Sequence, residues 1–371
     1  MKYYIISGEV SGDLHGANLI KSIKKIDENA QFRVWGGDMM QNEGAVNVVH
    51  IKERAFMGFV EVFLNFFKII KLIKLAKNDI LKYQPDRLIF IDYPGFNLKI
   101  AAWANKKGFT THYYISPKIW AWNTKRALKI KKIITKMYVI LPFEKHFYKT
   151  FDYNVTYVGN PLIDEIENFI PYSDFLIKNN IGQKPIIALL PGSRRQEINL
   201  ILPIMLNSVI NYSDQYCIVL AVAQGYDFSY FDKFKNIEKV ILIKDNTYNL
   251  LKNSYAAIVT SGTAALETAI FNVPQVVCYK TSFLNAFIAK FVLKVDFISL
   301  VNLIMNREVV KELLQNDLNE MNLKIEIDKI LDTTNRNEIL KSYKELKLIV
   351  GGSGASAKTA ECIVYNKSIE Q

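Results

Sequence analysis

Five consecutive apolar residues, Ile186 to Leu190, end in Pro191-Gly192-Ser193 and run into a polar stretch, Arg194-Arg195-Gln196-Glu197. An uninterrupted apolar run this short reads as a strand buried on both faces, and such strands belong to parallel sheets covered by helices. The unit recurs, with Ala256 to Thr260 as strand, Ser261-Gly262-Thr263 as turn and Ala264 to Ile270 as helix. A small-residue turn that feeds a helix N-terminus is also an anion site, because free backbone N–H groups and the helix dipole point at the ligand. The Arg194 guanidinium adds a planar fork suited to phosphate. Glu267, early in the second helix, has the chemistry to accept hydrogen bonds from ribose hydroxyls. Gly192, Ser193, Arg194, Ser261, Gly262, Thr263, Ala264 and Glu267 therefore predict a nucleotide laid across neighbouring strand ends.

The same alternation fills the chain. Strands are expected at Tyr3 to Ile6, Phe32 to Trp35, Leu88 to Ile91, Thr111 to Ile115 and Met137 to Leu141, and helices at Gly16 to Ile26 and Leu98 to Lys107. After a Pro-bearing polar stretch between Asn160-Pro161 and Lys184-Pro185 the pattern restarts, with further strands at Cys217 to Val222, Val240 to Ile243 and Gln275 to Tyr279. The expectation is an α/β chain with two Rossmann-like domains facing across a cleft. They cover residues 1–165 and 184–340, and a helical segment, 341–371, broken by Gly351-Gly352-Ser353-Gly354, packs back on the first.

With 371 residues there is material for two separate cores. Cys217, Cys278 and Cys362 form no C-x-x-C pair and the four histidines no H-x-x-x-H pair, so neither a disulfide framework nor a metal site is expected. The opening Met1-Lys2-Tyr3 leads into a strand rather than a signal-peptide pattern, and a cytoplasmic protein is expected. The net charge of +11 favours anionic partners. No compact run of lysines and no nucleic-acid-binding motif appears, so most of that charge reads as solvated surface and nucleic acid is not expected as a partner.

Three segments of the first half carry polar chemistry. Ser7 to Gly16 follows the first strand and crowds Glu9, Ser11, Gly12, Asp13 and His15 into what reads as a polar cleft loop. Its spacing departs from the dinucleotide fingerprint. Asp92 closes the Leu88–Ile91 strand, where a carboxylate is either a helix N-cap or a group placed for chemistry. Further on, Trp120 and Trp122 lie beside Lys125 and Arg126, an aromatic and basic mix suited to packing or to a sugar phosphate.

The stretch from Ala55 to Ala76 is very apolar, yet Glu61, Lys68, Lys71 and Lys74 exclude a transmembrane helix. At helical spacing Phe59, Phe63, Phe66, Ile70 and Ile73 form a core-facing stripe. The opposite face, with Leu64, Lys68, Lys71, Leu72 and Leu75, fits a membrane interface.

Taken in order, the segments SGEVSGDLHGA, AFMGFVEV, IDYPGFN, SPKIWAWNTKR, LPFEKHFY, VGNPL, LLPGSRRQE, SGTAALE and SLVNLIMNREVVKELLQ resemble the lipid-A-disaccharide synthases, inverting glycosyltransferases of the two-domain B-type fold. The resemblance implies transfer from a UDP-linked diacylated glucosamine to a diacylated glucosamine 1-phosphate through a β-1,6 bond, with UDP released and no cofactor or metal. It further implies UDP in the second half, Asn302 near the donor, Asp92 as the base, and peripheral association with the cytoplasmic leaflet of the inner membrane. Departures are Gly95, where many members carry a second Asp, Asn123, where a basic residue is frequent, and Val301, where Pro is common. The residues alone leave open another UDP-sugar transferase, an epimerase of similar fold, or a non-catalytic peripheral protein that binds lipid or nucleotide. They also leave open a homo-oligomer.

Overall fold

The computed structural model describes residues 1–53, 66–223, 225–282 and 295–366. The chain divides into two compact units, Met1–Asp164 with Gly352–Gln371, and Glu165–Gly351.

The first unit is built on a seven-stranded sheet in the order β3-β2-β1-β4-β5-β6-β7. Its strands are β1 Lys2–Ile6, β2 Gln31–Trp35, β3 Val46–Asn47, β4 Arg87–Ile91, β5 Thr111–Tyr114, β6 Lys136–Val139 and β7 Thr156–Tyr157, all paired in parallel. Side chains of a strand alternate between faces, and here both faces are dry. Tyr4, Ile6, Phe90 and Tyr113 join one core, whereas Tyr3, Ile5, Ile89, Ile91 and Tyr114 join the other. That is why β1 and β4 read as continuous apolar runs.

The helix Ala355–Val364 closes the second of these cores with Ala360, Cys362 and Ile363. It is held by Asp164, whose carboxylate accepts from the backbone N–H groups of Gly354 (2.5 Å), Ala355 (3.2 Å) and Ser356 (3.1 Å). An acidic cap of this kind satisfies donors that a helix start leaves unpaired.

Within the described part of the apolar segment, Phe66–Tyr83 is a helix. Ala76 and Ile80 are fully buried, and Leu72 and Ile73 pack against the same core. Asp79, on that buried side, takes both Nε and Nη2 of Arg33 (2.7 and 2.6 Å) and the Tyr4 hydroxyl (2.7 Å), so its charge is paired rather than stranded. The rotation differs from the sequence expectation. Ile70 is exposed and Leu72 faces the core, because the register is set by Ala76, Ile80 and Asp79 two turns later. Lys68, Lys71 and Leu75 are exposed as expected. Leu64, Phe59 and Phe63, with the AFMGFVEV motif, lie outside the described residues.

The second unit carries a six-stranded parallel sheet in the order β10-β9-β8-β11-β12-β13. Its strands are β8 Ile186–Leu190, β9 Cys217–Val222, β10 Ile241–Lys244, β11 Ser254–Thr260, β12 Gln275–Tyr279 and β13 Lys311–Leu314. The last was not legible, because Lys311-Glu312 interrupts its apolar run. The core around Leu189, Leu220, Ile258 and Val276 is covered by the helix Arg195–Val209 and by Leu323 and Ile327 of Glu320–Leu331.

Candidate functional site

In each sheet the chain winds outward one way from one strand and later resumes on its other side. This creates a switch point, where loops from neighbouring strands part and a ligand gains access to backbone. In the first unit the switch lies between β1 and β4, and in the second between β8 and β11. The turns singled out in the sequence fall at these two places.

At the β8/β11 switch, Gly192 adopts φ +92°, a conformation that strains any side chain. A Cβ there would also lie 2.9 Å from Glu197 Oε2 and 3.4 Å from Thr260 Cγ2. The turn after β8 is thus packed against the end of β11. Arg194 is the N-cap of the helix Arg195–Val209, with no side-chain cap bond. Its side chain is largely exposed, and Nη1 donates to Glu197 Oε1 (3.0 Å). Glu197 occupies one edge of the fork. The Tyr226 hydroxyl donates to the Ser193 carbonyl (3.2 Å) and braces the turn.

After β11, Ser261 Oγ donates to the Ile298 carbonyl (3.1 Å), Gly262 is the N-cap, and Thr263 and Ala264 open the helix Thr263–Ile270. The buried Thr260 Oγ1 has no hydrogen-bond partner among the described residues. Glu267 follows one turn later. Loss of hydration, reinforced by nearby Glu165, raises its carboxyl to about 7.

Asn302 does not present its amide to a ligand. It is fully buried. Its Nδ2 donates to the Val310 carbonyl and Glu312 Oε1 (both 2.8 Å), and its Oδ1 accepts from Val309 N (2.8 Å) and Val310 N (3.0 Å). All four hydrogen-bonding positions of the amide are used in holding the turn before β13.

The β1/β4 switch has different chemistry. Asp92 and Tyr93 adopt φ +44° and +49°, and Ile115, at the end of neighbouring β5, φ +65°. The left-handed region disfavours β-branched residues most, at roughly 1–3 kcal/mol, and such strain persists only where surrounding bonds enforce it. Those bonds are present. Asp92 N donates to the Tyr114 carbonyl (3.1 Å), and the Tyr113 hydroxyl and Asn97 Nδ2 donate to the Asp92 carbonyl (2.5 and 2.8 Å). Asn97, fully buried, also reaches the carbonyls of Ile6 (3.2 Å) and Ile91 (3.3 Å), stitching the ends of β1 and β4 together.

The Asp92 carboxyl is partly exposed. Burial raises it above the usual carboxylate range, Lys118 opposes that most, and Glu9 adds to it. Gly8 lies so close that a Cβ would fall on the Tyr93 ring.

The segment Ser7 to Gly16 is not a cleft loop beyond its first residues, because the helix begins at Val10 with Glu9 as N-cap. Glu9 and Ser11 are exposed and His15 is half-buried. Gly12 serves packing, since a Cβ would lie 2.9 Å from Ser7 Cβ. Asp13 leaves the list of ligand-facing groups: it is buried and accepts from Gly37 N (2.6 Å), Met39 N (3.0 Å) and Met40 N (3.3 Å). It caps the helix Asp38–Asn42 from outside.

Trp120 is likewise structural. Its indole is buried and donates to Glu144 Oε1 (3.1 Å), which also accepts from Ser116 Oγ (2.5 Å). Glu144 Oε2 accepts from Ile140 N (3.2 Å) and Leu141 N (2.9 Å). The exposed ring is Trp122, with the Arg126 guanidinium 5.9 Å from its centre, while Lys125 is exposed at the helix N-cap. Sequence reasoning weighed Trp120 and Trp122 together without telling which ring is exposed, and it passed over Lys118 and Glu144 as site residues. Only Lys118 carried a visible signal, a cation in a Pro turn between two strand-end motifs.

Two parallel sheets, each with its ligand-accessible turns at the switch point, define the B-type glycosyltransferase fold. The chain is similar to a solved putative UDP-N-acetylglucosamine 2-epimerase from Listeria monocytogenes, with a TM-score of 0.70 at 13% identity over 98% of this chain and 96% of that one. It is also similar to the glycotransferase of kitacinnamycin, with 0.65 at 11% identity over 98% of both chains. These likenesses show the fold.

The family model described as lipid-A-disaccharide synthetase matches residues 3–365. The lipid-A-disaccharide synthases of Geobacter metallireducens and Coxiella burnetii (strain RSA 331) are both 33% identical, over 97% of this chain and 96% of the first relative, and 98% and 97% for the second. The chain belongs to the lipid-A-disaccharide synthase family and is a glycosyltransferase that forms the lipid A disaccharide. No described helix is long and apolar enough to cross a membrane.

Proposed function

We propose that the enzyme joins a UDP-linked 2,3-diacylglucosamine to 2,3-diacylglucosamine 1-phosphate with inversion. The acceptor 6-hydroxyl oxygen attacks the anomeric carbon, the bond from that carbon to the diphosphate oxygen breaks, and UDP leaves with the electron pair. Asp92 takes the hydroxyl proton. The N–H groups of the Gly192–Arg194 and Ser261–Ala264 turns, with the Arg194 guanidinium, carry the negative charge that develops on the leaving diphosphate. Glu267 receives the ribose hydroxyls. Glu9, Ser11, His15, Trp122, Lys125 and Arg126 serve the acceptor side.

The observation that carries this reading is the contrast between the two switch points. One presents a carboxyl held in strained backbone, the other glycine turns and a cation at helix N-termini. The test is UDP release with each lipid substrate alone and with both together. Release that requires both supports transfer, whereas release from the sugar nucleotide alone, with an epimerised product, overturns it. Activity survives excess EDTA on this mechanism, and a loss restored by Mg²⁺ contradicts it.

Acylated substrates require the enzyme to work at a membrane surface. The support is the Phe66–Tyr83 helix, which exposes Phe67 (78%), Ile70 (46%) and Leu75 among Lys68, Lys71 and Lys74. Each apolar side chain inserted adds ~1.5–3 kcal/mol, and each lysine near an anionic surface about 1 kcal/mol. Changing Phe67, Ile70 and Leu75 together to Ser detaches the protein from acidic vesicles in co-sedimentation without lowering its melting temperature. Continued sedimentation by the folded variant removes this helix from the interface.

A further inference from the structure

We propose that Tyr226 is a positioning residue for the leaving group, whose hydroxyl turns the Ser193–Arg194 peptide so that the Arg194 N–H faces the diphosphate. The inference rests on the reading of the Gly192–Arg194 turn as the phosphate site. It starts from the geometry of one peptide. In a trans peptide the C=O and the following N–H point in opposite directions. The Tyr226 hydroxyl donates to the Ser193 carbonyl (3.2 Å), so that one bond also fixes the direction of the Arg194 N–H. This N–H has no acceptor among the described residues, and it belongs to the N-cap of the helix Arg195–Val209.

A peptide in this place needs such a hold. Gly192, just before it, sits in the left-handed region with φ +92°, and no side-chain cap bond fastens Arg194. Donors that meet a developing negative charge act best when their direction is set before the reaction.

Tyr226 reaches the turn from the end of the neighbouring strand. Leu189 pairs with Leu220, so the segments after β8 and β9 leave the sheet side by side. Gly225, with φ +90°, bends the chain just before Tyr226. The Tyr226 ring centre lies 4.8 Å from that of Tyr230 and 6.2 Å from that of the buried Phe231. Tyr230 is in turn tied to the helix that follows the phosphate turn. Its hydroxyl donates to Asn199 Oδ1 (2.9 Å), and the Arg195 guanidinium lies 5.7 Å from its ring centre. Packing on the first turns of that helix thus aims the Tyr226 hydroxyl, independently of the bond it makes. Loss of hydration first, and Tyr230 second, raise the Tyr226 phenol above its ordinary range, so it keeps the proton it donates.

The experiment is UDP calorimetry, uridine competition and melting curves on the full-length protein for Tyr226→Phe and Gly192→Ala, with amide NMR spectra of the ligand-free protein. Tyr226→Phe keeps the ring and loses only the hydroxyl. It is expected to weaken UDP binding about three- to tenfold, the worth of one hydrogen bond. Uridine binding and melting stay unchanged, and the Arg194 amide resonance shifts before any ligand is added. Unchanged UDP affinity in Tyr226→Phe, while Gly192→Ala weakens it, overturns the proposal and leaves the phosphate turn standing. A loss of UDP affinity with an unmoved Arg194 resonance also overturns it, because the hydroxyl then acts on the ligand directly. An equal loss for uridine does so too, since the phosphates are then not what the hydroxyl serves. A folded Gly192→Ala that binds UDP like the wild type removes the turn from the site and overturns both readings.

Discussion

The two switch points sit at the same topological place in two sheets of the same kind, yet they are finished differently. Around β8 and β11 the strand ends are made of Gly192 and Gly262, so that backbone N–H groups come forward beside the Arg194–Glu197 pair. Around β1 and β4 the left-handed positions are filled by Asp92 and Tyr93, and a dense set of bonds from Tyr113, Asn97 and Tyr114 holds them. Glycine gives an open turn at little steric cost, which suits an anion bound mainly by backbone. A side chain forced into that conformation costs stability but arrives in one orientation, which suits proton transfer. On the proposed function, one fold supplies two chemistries by changing who occupies the turn.

The sharpest way to break this comparison is to remove the side chain that distinguishes the first switch point. Asp92→Asn lowers kcat by roughly 10²–10⁴-fold, the usual worth of a positioned base, and leaves UDP affinity unchanged in calorimetry. Weaker UDP binding by that variant would erase the division of labour. The converse change, Arg194→Ala, weakens UDP binding by about 2–3 kcal/mol, because a charge-assisted contact to phosphate is lost. An unchanged UDP dissociation constant would leave the second switch point to backbone alone.

A smaller effect separates the two carboxylates of the first unit. Asp13→Ala strips three backbone N–H groups of their acceptor and lowers stability by about 1–3 kcal/mol in denaturant unfolding. Any activity lost by Asp13→Ala tracks the unfolded fraction. A folded variant as inactive as Asp92→Asn would return Asp13 to the site.

The smallest effect is one of pH. Glu267 is raised from 4.5 to about 7, so the folded protein holds its proton more tightly than the unfolded chain does. Stability from this group is present at low pH and is lost as pH rises from about 4.5 through 7. UDP affinity runs the other way, because only the ionised carboxylate accepts from both ribose hydroxyls, and falls a few-fold as pH drops below 7. Glu267→Gln flattens both dependences, and a wild-type UDP affinity independent of pH between 6 and 8 removes Glu267 from the ribose.

Much of this was written locally in the chain. A strand buried on both faces must be apolar throughout, and a turn that brings backbone to a ligand must use small residues. Ile186–Leu190 with its Pro-Gly-Ser turn and Leu88–Ile91 with Asp92 were therefore legible as strands ending in turns, and both turns lie at switch points. The weak strand β13 was not, because its Lys311 and Glu312 follow the edge position rather than an apolar period.

What the sequence left open turned on partners far along the chain. Asp13 and Asp92 look alike as acidic residues after strands, but Asp13 is buried and consumed by N–H groups of Gly37, Met39 and Met40, whereas Asp92 stays partly exposed. Trp120 and Trp122 stand two apart in one motif, and only the reach of Glu144 decides which ring is buried. Asn302 reads as a donor-site residue until the turn at Val309 and Val310 takes its carbonyl. The facing of Leu72 and Ile70 is decided by Asp79 meeting Arg33 and Tyr4. Apolar period and turn composition are properties of neighbours in sequence, so they determine elements and strand ends. Whether a polar side chain is free to act depends on which donors the fold brings to it, and that is decided only in three dimensions.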